Sequence, residues 1–106
     1  AIVFLTDVRA ISYAESVMGI IEAYDLAEIV GRPTAGANGN VNLLHMPGGY
    51  QPGWTGMQVL KHDGSQHHLI GILPTVPVAP TIAGVREGRD EDLETAIAII
   101  QGEPAP

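Results

Sequence analysis

A chain of 106 residues has room for one domain, and 45% hydrophobic against 16% charged residues is the composition of a folded protein, not of a disordered segment. Twelve acidic residues against five basic ones give a net charge of −7 with no basic stripe, which argues against nucleic acid and an anionic membrane surface as partners. The lack of cysteine excludes disulfides, thiolate metal sites and a cysteine nucleophile, and no apolar run approaches the ~18 residues of a membrane span.

Residues 1–6 are a continuous apolar run, the pattern of a buried strand in a parallel sheet. Residues 7–11 lead from it to Ser12, which with Glu15 makes a Ser-x-x-Glu capping box. Val17, Ile20, Ile21 and Tyr24 then recur at helical spacing, so a helix is predicted over 13–24. Asp25 and Leu26 turn the chain into a second strand at 27–30. Strand, helix and strand form a right-handed βαβ unit.

Residues 31–40 are a Gly-rich loop, and 41–45 a short strand. A turn-rich link follows, then a strand over 55–61 and a tight turn at Asp63-Gly64, with weak return pairing over 66–72. Three prolines within residues 74–80 predict an extended segment without regular pairing. Residues 86–92 are charged and polar. Asp90 or Asp92 caps a final helix over 91–101, ended by Gly102 and Pro104. An apolar strand at residue 1 leads us to expect a fragment whose preceding part is missing, and its uncovered edge favours homo-oligomer pairing.

Three groups of residues bear on chemistry. Ser12 stands where a strand gives way to a helix, beside the unpaired amides and positive end of the helix dipole. The Tyr13 N–H next to it points where an oxyanion would sit. The arrangement is similar to the strand-to-helix nucleophile turn of serine hydrolases, although an N-cap role alone accounts for a serine there. The 31–40 loop lacks the Gly-Lys-Ser/Thr ending of a phosphate-binding loop. His62, His67 and His68 lack carboxylate or thiolate support at metal-ligand spacing, so no metal or other cofactor is expected.

Ser12-Tyr13-Ala14-Glu15, the helix, and then the stretch from Ala27 through Val30-Gly31-Arg32-Pro33-Thr34-Ala35-Gly36 resemble the tail-specific, or C-terminal-processing, serine peptidases. Members carry Ser-Ala-Ser-Glu at a helix start and Val-Gly-x-Pro-Thr-x-Gly after the next strand. Asp63-Gly64-Ser65, Gly71-Ile72-Leu73-Pro74 and the segment from Arg89 to Ala96 resemble later motifs of that family. The resemblance implies an α/β fold, a sheet-and-helix superhelix similar to the crotonase and Clp protease folds. Residues 1–106 would be the C-terminal part of its catalytic core. It implies Ser12 as nucleophile, the Tyr13 N–H in the oxyanion hole, and a peptide or protein as substrate. It also implies a location outside the cytoplasm.

Gly36 and Ala37 lie in the loop near that site, and Ala37 replaces the lysine that acts as general base in bacterial processing peptidases. Ala37 takes no proton, so a Ser–Lys dyad is excluded. In the tricorn-like branch a histidine from an upstream part of the chain is the base, supported by a glutamate shortly before Gly-x-x-Pro. That glutamate position falls at Gln66 to His68, nearest His68, and Thr75 replaces the aspartate usual after the proline. His68 is therefore a candidate orienting partner or base. The expected function is a serine endopeptidase that is inactive as this piece alone. The alternative is a decayed, peptidase-like module binding a peptide or an apolar ligand, as the interphotoreceptor retinoid-binding repeats do.

Overall fold

The computed structural model describes residues 1–103. Eight elements follow in chain order: β1 (Val3–Thr6), α1 (Tyr13–Tyr24), β2 (Glu28–Gly31), β3 (Val41–Leu43), β4 (Gly53–Thr55), β5 (Val76–Pro77), α2 (Ile82–Glu87) and α3 (Glu91–Gln101). Strand, helix and strand follow as predicted, but β1 is an edge strand of the sheet and not the buried strand expected of residues 1–6: Leu5 is exposed and only Thr6 is buried. β1 and β2 pair in parallel with Phe4 opposite Ile29, and α1 crosses between them. β2 is the middle strand of a three-stranded sheet ordered β1-β2-β5.

That central place explains why β2 is the driest strand. Ile29, Val30 and Gly31 are all buried. Ile29 joins Met18 of α1 and Ile72 in a small core, with Phe4 and Ile21 packed against it. α3 packs against β1 and β2, with Thr95, Ala96 and Ala98 buried. The α1 spacing is helical as expected, but Val17, Ile20 and Tyr24 turn outward and are exposed. Glu15 and Met18 are the side chains α1 buries.

Ile29 is 1% exposed. Truncating Ile29→Ala removes its methylenes and leaves a cavity, so a loss of about 2–5 kcal/mol is expected. Urea denaturation checks it, and a midpoint unchanged from wild type would contradict the packing described here.

Three further expectations need correction. The strand predicted at 55–61 ends at Thr55. Beyond it only Leu60 pairs, in a single antiparallel bridge with Gln66. The Asp63-Gly64 turn closes that bridge so tightly that there is no length for a ladder. The Lys61 N–H donates to the Ser65 carbonyl at 2.9 Å, and Gly64 has φ 81°. β4 starts earlier, at Gly53, and pairs antiparallel with β3 in an exposed hairpin.

Second, the Pro-rich segment is not free of pairing, because Val76 and Pro77 join β2 as β5. A proline is tolerated there because β5 is an edge strand. Third, α2 has no counterpart in the sequence reading. It begins in residues 81–85, between the Pro-rich and the charged stretches, with a cap set by its own start: the Thr81 hydroxyl accepts from the Gly84 N–H at 2.9 Å, and Gly88 ends it at φ 70°.

α3 runs as predicted from an Asp90 cap to Gly102 at φ 74°; Pro104 lies outside the described residues. Among the described residues no helix is long and apolar enough to cross a membrane.

Candidate active site

The loop from β1 delivers the chain to Ser12, the first residue before α1. Ser12 has φ 59° and ψ −116°, a sparsely populated conformation for a residue with a side chain. Such strain costs on the order of 1–3 kcal/mol and persists only where the surroundings over-determine it. Here the Ser12 N–H is held twice, by the Ala37 carbonyl at 2.9 Å and by Glu15 Oε2 at 3.2 Å. The Glu15 half of the predicted capping box forms, its carboxylate accepting from the Ser12 N–H, while the Glu15 N–H donates to the Ser12 carbonyl and the Ser12 hydroxyl makes no cap hydrogen bond. It stays on an exposed residue, uncommitted to the helix it precedes.

Tyr13 is the first residue of α1, so its N–H has no intrahelical acceptor. Among the described residues it donates to no backbone carbonyl. Tyr13 as a residue is 82% exposed. A strained serine with a free hydroxyl, followed by an open amide at a helix start, puts a hydroxyl oxygen beside a donor able to receive negative charge.

Beneath Ser12 lies Glu15, which is 1% exposed. Its Oε1 accepts from the Thr34 hydroxyl at 2.6 Å and the Gly36 N–H at 2.7 Å. Its Oε2 accepts from the Ala37 N–H at 3.0 Å as well as from Ser12, and lies 3.4 Å from His67 Nε2. Burial pushes the Glu15 carboxyl up, but the donors from Thr34 and Gly36 and the His67 ring outweigh it and hold it below the ordinary range.

The 34–37 loop is locked from its other side too. The Thr34 N–H donates to the Ile72 carbonyl at 3.1 Å, and the Ile72 N–H to the Thr34 hydroxyl at 2.8 Å. The Gly36 carbonyl accepts from the Leu69 N–H at 2.9 Å. Gly36, at φ 67°, is required: a Cβ there would lie 2.9 Å from the backbone of Leu69 and Ile70. Gly36 and Ala37 are thus backbone donors to Glu15.

His68 is exposed on the wall of a groove of about 730 Å³ that it shares with Gln66, Met57 and Leu60. Its carbonyl accepts from the Gln66 side chain at 2.6 Å. The structure joins it by no hydrogen bond to Ser12. Its neighbour His67 is the histidine turned inward, 3% exposed against Glu15. From the sequence Glu15 has a capping role, and His68 is the histidine singled out; the structure turns His67 toward the carboxylate instead. Thr75 uses its hydroxyl to accept from the Ile29 N–H at 2.9 Å, tying β5 to β2. Among the described residues no group of three or more His, Asp or Glu side chains is arranged to hold a metal ion.

Comparison with known proteins bears on this layout. The family model for peptidase family S41 matches residues 1–78, a span that contains Ser12, Glu15, the 34–37 loop and His67. The chain belongs to peptidase family S41.

Solved structures show the same fold. A candidate peptidase from Parabacteroides merdae superimposes with a TM-score of 0.83 at 23% identity, over 92% of this chain and 31% of that one. Mature CPAF gives 0.78 at 25% identity, over 94% and 20%. CPAF complexed with lactacystin gives 0.79 at 25% identity, over 95% and 21%. The chain thus spans about a third of the first structure's length and about a fifth of CPAF's. No curated protein matches it.

Proposed function

We propose that this chain carries the nucleophile of a serine endopeptidase of the tail-specific type, and that Ser12 attacks the scissile carbonyl to form an acyl-enzyme. One observation carries the reading. Ser12 is held at φ 59° with its hydroxyl unused by the helix it precedes. A serine serving only as a cap would sit in the extended region and spend its oxygen on the first turn. The developing oxyanion is met by the Tyr13 N–H, and water completes the cycle by releasing the acyl group. Membership of family S41 supports peptide hydrolysis as the chemistry.

The base is a separate matter. Ala37 has no proton acceptor, so the proton leaves the Ser12 hydroxyl to a histidine, either one outside these residues or His68. We take residues 1–106 as the C-terminal part of the peptidase core, with a crotonase- or Clp-like superhelix in the whole. The chain is a thin slab, 58 × 36 × 17 Å, with apolar side chains such as Val17, Ile20 and Tyr24 exposed. That shape supports a partner segment covering it, and activity is expected only with that segment in place. The identity of Ala37 also favours a second reading, a decayed module that binds a peptide or an apolar ligand without cleaving it.

The test is to treat the intact protein with a serine-reactive phosphonate and locate the adduct by mass spectrometry. The adduct is expected on Ser12, together with cleavage of an unfolded protein substrate. An adduct elsewhere, with full cleavage retained by Ser12→Ala, overturns the assignment. No adduct and no cleavage would favour the binding module.

A further inference from the structure

The Glu15 carboxylate is nearly sealed from water and receives four donors, three of them backbone amides of the site itself. A buried charge of this kind needs a countercharge. The basic side chain set against it is His67, with Nε2 3.4 Å from Oε2 and no hydrogen-bond partner of its own. Lys61 is engaged elsewhere, with its Nζ 2.6 Å from Glu22 Oε1.

We propose that Glu15 and His67 are a positioning pair. When protonated, His67 neutralises the carboxylate that fixes the backbone of Ser12, Gly36 and Ala37. The geometry of the nucleophile then responds to the charge of His67. Neither residue touches the reacting atoms; both act through the Ser12 backbone. The inference rests on the nucleophile reading above only for its catalytic consequence.

The groups facing the pair identify which titration matters. The small cavity beside it is lined by Glu15 and Glu22 of α1, Lys61 and His62 of the 60–66 turn, and His67. Glu22 and Lys61 neutralise each other. His62 lies edge-on to Tyr24 with ring centroids 5.4 Å apart, and is exposed. His68 is exposed on the adjoining groove. Imidazoles are the side chains that ordinarily change charge between pH 5 and 8, so His62 and His68 are the controls for His67.

The experiment follows the amide resonances of Ser12, Gly36 and Ala37 by NMR between pH 5 and 8 in the intact protein. All three are expected to shift together in one step. That step should persist in His62→Gln and His68→Gln and vanish in His67→Gln, whose amide is a neutral donor. Glu15→Gln should abolish it as well, and should it fail to fold, His67→Gln decides alone. Phosphonate labelling of Ser12 in His67→Gln is expected to slow at least about tenfold, as for a displaced nucleophile. Amides that do not titrate, or that titrate unchanged in His67→Gln, overturn the pair. Titrating amides in a protein whose Ser12 takes no label would retain the pair and reject the nucleophile.

Discussion

Replacing Ser12 by alanine is expected to lower peptide hydrolysis by the intact protein at least about 10⁴-fold, the scale on which serine nucleophiles fail when removed. The residual rate would reflect the Tyr13 amide and substrate binding alone. Ser12→Gly is the more informative companion. Glycine adopts φ 59°, ψ −116° without a side-chain clash, so this variant should be equally inactive yet more stable by roughly 1 kcal/mol. Kinetics on an unfolded substrate and thermal denaturation read the two effects separately. A Ser12→Gly protein less stable than wild type would mean that the backbone there is unstrained, and the argument for a poised nucleophile would lose its main support.

Glu15→Ala should destabilise the fold by about 3–5 kcal/mol. It leaves the Thr34 hydroxyl and the Gly36 and Ala37 amides without their acceptor, takes one of two acceptors from the Ser12 amide, and leaves His67 without its counterpart. The same bonds fix the sign of the pH dependence. The folded carboxyl titrates below its ordinary value, so its contribution is complete above that value and drains away as pH falls through the folded one. Wild-type stability should therefore fall on acidification through the carboxylate range, and Glu15→Ala should flatten that limb. Denaturant midpoints at a series of acidic pH values measure it. Parallel limbs in the two proteins would show that Glu15 is not the group responsible.

Both effects trace to one four-residue stretch, and that explains how the fold serves the site. β2 needs Gly31 at φ 124°, because a side chain there would run into the Thr6 carbonyl of β1. The strands therefore lie close, and the chain leaves β2 beside the β1 exit. That brings the 34–37 loop over Glu15. Gly71, at φ 71°, lets the 67–72 segment close against Thr34 in turn. Ser12 is thus clamped from two directions before any substrate arrives.

Much of this was legible from local pattern. The run at 1–6, the Ser12-x-x-Glu15 box, the helix over 13–24 and the Asp90 cap depend on neighbours three or four residues apart, and sequence spacing encodes those directly. Family S41 was legible too, because its motifs preserve order along the chain. What spacing does not encode is which face meets the core. Val17, Ile20 and Tyr24 have the periodicity of a buried stripe and lie outside, while Glu15, the polar residue, lies within. His67 and His68 are the same residue type on adjacent positions. The 67–72 segment, hydrogen-bonded to the 34–37 loop, turns one into the carboxylate and the other into the groove. Likewise Pro77 became a strand residue because an edge of β2 was open to it. Local propensity located the turn at Ser12; long-range packing chose its partners, since burying the Glu15 charge depends on donors 19 to 22 residues away.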